Sequence, residues 1–166
     1  MRLFIAIRFN REVKDALIRA IEDLRGRAVS GSFTRPENLH LTLVFIGESD
    51  DVKTIRAVID ECGVPPFDMA VAGSGNFGDL YWAGVENSPE LSGLAGSLRE
   101  KLRSGGFDID EKPFRPHITL ARRVQPRSHI RVNMQRATMT VKRISLMKSE
   151  RINGKLTYTE IYGRDL

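Results

Sequence analysis

Hydrophobic and polar positions alternate between two periods along the chain. Residues 3–9 (LFIAIRF) form a compact apolar run, the signature of a buried strand. Asn10 then precedes a stretch in which Val13, Ala16, Leu17, Ala20, Ile21 and Leu24 recur at the helical period, with Gly26 as its expected end. A polar loop is expected next, followed by a strand over residues 39–46 (LHLTLVFI). Ser49, Asp50 and Asp51 suit a second helix that turns Val52, Ile55, Val58 and Ile59 inward and stops near Gly63.

Phe67, Met69 and Val71 alternate as strand residues do. Gly73, Gly75 and Gly78 predict a glycine-rich turn into another strand over residues 80–85. Ser88 and Pro89 are a good cap and first residue for a third helix, whose Leu91, Leu94, Leu98 and Leu102 share a face before Gly105 and Gly106. The segment KPFRP leads into a strand over residues 117–121. Met139 and Val141 take one phase and Ile144 and Leu146 the other, which predicts a bulge or break near Lys142. Residues 156–162 fit a strand, with an ambiguous pattern.

An internal repeat orders these elements. A shift of 77 residues lays Leu3 on Leu80, Ala6 on Ala83, Leu17 on Leu94, Pro36 on Pro113, His40 on His117, Thr42 on Thr119 and Leu43 on Leu120. The two copies span approximately 3–46 and 80–123. The expected architecture is α+β and bilobal: two lobes related by a pseudo-twofold axis, each with an antiparallel sheet and outer helices, and a cleft between them where the His-bearing strands meet. No linker divides residues 1–166, so a single domain is expected.

The chain has 41% hydrophobic and 28% charged residues, the balance of a folded, water-soluble protein. Its one cysteine, Cys62, excludes an internal disulfide and a thiolate zinc site, which points to a reducing cytoplasm. The N-terminal apolar run is too short for a signal segment or a membrane span, so no membrane partner is expected. A net charge of +5 favours a polyanionic partner. Between Arg122 and Arg151 nine cations, Arg122, Arg123, Arg127, Arg131, Arg136, Lys142, Arg143, Lys148 and Arg151, face the single acid Glu150.

Two of the three histidines occur in nearly the same tetrapeptide, His40-Leu41-Thr42-Leu43 and His117-Ile118-Thr119-Leu120. Strand alternation turns each His and Thr to one face and the apolar pair to the core. A cyclic phosphodiester needs such a set: a base to take a proton from water, an acid to protonate the departing oxygen, and donors for the phosphate oxygens. Imidazole titrates near neutral pH and can fill either proton-transfer role. With no HxH, no HExxH and no carboxylate beside either motif, neither a metal nor another cofactor is expected. His129 lacks this context and reads as a surface residue.

RLFIAI, Arg35-Pro36-Glu37-Asn38 leading into HLTLVFIG, the segment PFRPHITLAR and the spacing of the two HxTx motifs resemble the two-histidine (2H) phosphoesterase superfamily, in its RNA 2',3'-cyclic phosphodiesterase (2'-5' RNA ligase-like) branch. The resemblance implies facing motif strands and hydrolysis of a terminal 2',3'-cyclic phosphate to a 2'-phosphate. By position it makes His40 the proton donor to the leaving 3' oxygen, His117 the acceptor that activates water, and Thr42 and Thr119 the phosphate holders. Arg122 and Arg123, directly after the second motif, are candidate RNA contacts, and a monomer is expected. Alternatives are the reverse 2'-5' ligation, hydrolysis of a small cyclic phosphate, and non-catalytic binding of RNA ends.

Overall fold

The first apolar run forms β1 (Arg2–Ile7) in the computed structural model, which describes residues 1–166. It is followed by α1 (Arg11–Arg27), β2 (Ala28–Phe33), a single 3-10 turn (Pro36–Asn38), β3 (Leu41–Glu48), α2 (Val52–Asp60), β4 (Phe67–Phe77), β5 (Leu80–Val85), α3 (Pro89–Ser104), β6 (His117–Pro126), β7 (Ala137–Val141), β8 (Arg143–Ile152) and β9 (Lys155–Asp165).

Each helix starts where its sequence offers an oxygen to an unpaired backbone N–H. The Asn10 side chain accepts from Val13 at 2.9 Å, Asp51 from Thr54 at 3.2 Å and Ser88 from Leu91 at 3.2 Å. Such caps contribute about 1 kcal/mol each. The six apolar positions of the α1 stripe are its buried residues.

The strands form two antiparallel sheets, β3-β1-β8-β9 and β2-β6-β5-β4-β7. The repeat is visible in both: β1 lies between β3 and β8 as β5 lies between β6 and β4. The helices cross over. The first copy's α1 packs on β2, β6 and β7 of the second sheet, whereas α3 of the second copy packs on β3 of the first, with α2 against α3 and β9. A single cluster of 42 buried side chains therefore contains residues from both copies.

Three expectations are corrected. α1 runs through Gly26 to Arg27, because the chain continues directly into a strand and no left-handed cap is needed. The polar loop expected after it is β2, an edge strand paired only with β6, whose exposed Val29 disguises its alternation. β4 extends through Gly73 and Gly75 to Phe77, so the turn is confined to Gly78 and Asp79. Gly75 is needed for packing, since the Trp82 indole occupies the space a Cβ would take. The bulge or break expected near Lys142 is present as a break, since β7 and β8 belong to different sheets.

Candidate active site

The segment before the first motif is tied to both sheets. Thr34 donates from its backbone N–H to the Leu120 carbonyl and from its hydroxyl to the Thr119 carbonyl, both at 2.9 Å. Arg35 and the buried Asn38 both donate to the Leu156 carbonyl on β9, Asn38 at 2.9 Å. These bonds deliver His40 to a point where β3 of one sheet lies against β6 of the other. His40 sits just before the first residue of β3, and His117 is the first residue of β6.

Both imidazoles are anchored in the same way. His40 donates from Nδ1 to the Asn38 carbonyl at 2.8 Å, and His117 from Nδ1 to the Arg115 carbonyl at 2.7 Å, in each case two residues upstream. A carbonyl can only accept, so Nδ1 carries the hydrogen and Nε2 is left for other chemistry. A short hydrogen bond from the ring's other nitrogen also fixes its orientation, as in metal and acid–base sites generally.

The surroundings of the two rings differ. His40 is enclosed by Phe4, with centroids 4.9 Å apart, and by Tyr158, edge-on at 5.0 Å. Its Nε2 accepts from the Thr42 hydroxyl at 3.0 Å, so His40 and Thr42 do share a face. Burial holds the His40 pKa below the ordinary histidine value; the bond to Asn38 opposes this and the charge of Arg122 adds to it. His117 has one aromatic neighbour, Phe77, edge-on at 5.7 Å, and its Nε2 has no partner within the protein. Thr119 lies two residues along β6, opposite Trp82 of β5.

Arg122 is exposed, forms no ion pair, and is near enough to lower the pKa of both His40 and Tyr158. Arg123 is not brought to the site in the same way. It takes a left-handed backbone, φ 53°, at a bulge where the pairing with β2 steps from Ser32↔Arg122 to Ser30↔Gln125. His129 is exposed and touches neither motif. Part of the basic stretch is neutralised locally: Arg136 pairs with Glu86, Arg143 with Glu160 and Asp165, and Lys148 with Glu150.

Sequence reasoning missed Phe4, Phe77, Asn38 and Tyr158. Phe4 and Phe77 read as core or turn residues, and Tyr158 lies far along the chain from His40. The one available signal is alternation, since Phe4 is out of phase with Leu3, Ile5 and Ile7 within an all-apolar strand.

A model of the 2'-5' RNA ligase superfamily matches residues 13–153. The RNA 2',3'-cyclic phosphodiesterase of Thermotoga maritima is 40% identical over 131 residues, covering 74% of this chain and 70% of that protein. The enzyme of the same name from Methanothermobacter thermautotrophicus is 29% identical over 178 residues, covering 97% and 96%. The crystal structure of Escherichia coli LigT complexed with 3'-AMP matches with a TM-score of 0.88 at 27% identity, covering 99% of this chain and 97% of that one. With its paired HxTx strands and these relatives, the chain belongs to the 2'-5' RNA ligase superfamily.

Proposed function

We propose that this protein hydrolyses the 2',3'-cyclic phosphate at the end of an RNA strand, leaving a 2'-phosphate, with residues 1–166 acting as one bilobal domain. The observation that carries the reading is the matched pair of histidines, each with Nδ1 tied to the carbonyl two residues upstream and Nε2 left for chemistry, beside Thr42 in His40 and without a protein partner in His117. Relatives named for this reaction support it. The exposed ring of Phe77 next to His117 offers a face on which a nucleobase could stack.

In the resting enzyme burial lowers the pKa of His40 and favours the neutral ring, whose Nε2 then accepts from Thr42. An arriving phosphate anion favours the imidazolium, for which His40 Nε2 takes up a proton from solvent, and takes over the hydroxyl of Thr42, with Thr119 as its counterpart. His117 Nε2 then removes a proton from water, whose oxygen forms a bond to phosphorus. The bond from phosphorus to the 3' oxygen breaks, and His40 Nε2 delivers its proton to that oxygen. One water is consumed, the 2' ester bond is kept, and each histidine ends in the other's protonation state. Arg122, with no acid of its own, offsets charge on the phosphate, and Arg123 serves the strand more remotely. The compartment is the cytoplasm, in keeping with the unpaired, buried Cys62, and the active form is a monomer.

The test is a short oligoribonucleotide bearing a 2',3'-cyclic phosphate, incubated with excess chelator, with the product's phosphate position identified. A 2'-phosphate formed at an unchanged rate is the expected result. A rate that collapses in chelator and returns with zinc or manganese overturns the two-histidine chemistry, and a 3'-phosphate reverses the choice of leaving oxygen.

A further inference from the structure

The face of the first sheet that carries His40 continues into a cationic pocket. Phe4 pairs with Met147, Ala6 with Ser145 and Met147 with Glu160, and directly opposed residues point to one side. Ser145 and Glu160 therefore share the face on which Phe4 and Tyr158 enclose His40. Glu160 accepts from Ser145 at 2.7 Å and bridges Arg8 at 3.2 Å to Arg143 at 3.0 Å. Beyond this bridge lies a cavity of about 470 Å³ lined by Arg8, Lys14, Lys142 and Arg143, with Glu37 and Leu39 on its His40 side.

The charges in this cavity do not balance. Glu160 and Asp165 are held by Arg8 and Arg143, and Glu37 is paired with Arg35 at 3.1 Å. Lys14 and Lys142 have no acidic partner, although both line the cavity. Lys14 also occupies the first turn of α1, where the helix dipole disfavours a cation. An anion in the pocket would offset the charge of Lys14 there.

We propose that this pocket is a second anion site, which holds a backbone phosphodiester of the RNA strand whose cyclic end lies at the two histidines. The proposal rests on the hydrolytic reading above and extends it from the reacting phosphate to the strand. Arg8 and Arg143, kept in place by Glu160, form the rigid wall, and the two lysines supply the unmatched charge. A cyclic mononucleotide has no second phosphate and cannot use the site.

The experiment compares wild type with a Lys14→Ala/Lys142→Ala variant on a cyclic mononucleotide and on a four-nucleotide RNA with a cyclic end. A control variant, Arg19→Ala/Lys53→Ala, removes the same charge from exposed positions on α1 and α2. The expected result is a KM for the RNA raised about tenfold in the pocket variant alone, with mononucleotide kinetics unaltered. The salt dependence of RNA binding should also become shallower, by roughly 0.7 in log–log slope for each phosphate that the variant no longer neutralises. An unchanged KM for the RNA, or an equal rise with both substrates or in the control, overturns the site. If wild type hydrolyses neither substrate, the hydrolytic reading fails on its own. Fluorescence anisotropy with a 3'-phosphorylated tetranucleotide then decides the site separately, since the pocket variant must still bind it about tenfold more weakly.

Discussion

Replacing either His40 or His117 with alanine lowers kcat by about two to four orders of magnitude, the usual worth of a general acid or base. The double variant loses little more than the worse single one, because two groups that move protons in one step act as a unit. His129→Ala keeps wild-type kinetics. The losses are chemical and not structural: truncating the partly buried His40 leaves a gap between Phe4 and Tyr158 that costs about 1–2 kcal/mol, too little to unfold an ordinary domain. The pH dependence of stability provides a separate check. Burial lowers the pKa of His40 in the folded chain, so the unfolded chain binds its proton more readily. This residue's contribution is then complete above about pH 6.5 and is lost as pH falls through the lowered folded value. The Tm gap between wild type and His40→Ala should narrow in acid. Near-normal turnover in either variant removes that histidine from the mechanism.

Much of the fold was legible because it is decided locally. Asn10, Asp51 and Ser88 cap their helices with their own side chains, and the apolar stripe of α1 is its buried face. The stripe could not say which sheet it would meet, and α1 meets the sheet of the opposite copy. β2 was hidden because an edge strand keeps one side in water, and its exposed Val29 carries no period. Gly75 looked like a turn residue because the reason for a glycine there, the indole of Trp82, is invisible without the pairing of β4 with β5. The four motif residues were readable from the repeat, which made His40 and His117 equivalent. Their difference comes from their neighbours: Phe4 and Tyr158 enclose His40, whereas His117 has only Phe77 beside it. Arg122 and Arg123 are likewise neighbours in sequence, separated in backbone conformation by a bulge that composition cannot predict.

A substrate with sulfur in place of the 3' oxygen should recover most of the activity lost in His40→Ala, by about a hundredfold or more, and little of that lost in His117→Ala. A thiolate leaves without protonation near neutral pH, since thiols have pKa values of about 8.5, whereas a sugar alkoxide does not. Only the acid becomes dispensable; water must still give up its proton. This comparison is needed because a pH profile cannot rank the histidines: a bell-shaped curve belongs to the coupled pair and looks the same with the roles exchanged. The profile does locate His40 once its role is known. As the acid it must be protonated, and kcat/KM reports the free enzyme, in which burial lowers its pKa. The alkaline limb of kcat/KM should therefore fall below the ordinary histidine value of about 6.5. In kcat, which reports the complex, the phosphate anion stabilises the imidazolium and moves that limb to higher pH. Arg122→Ala, which removes one of the influences lowering the His40 pKa, should shift the kcat/KM limb upward. Rescue confined to His117→Ala would exchange the two roles, and equal rescue of both variants would show that neither histidine protonates the leaving oxygen.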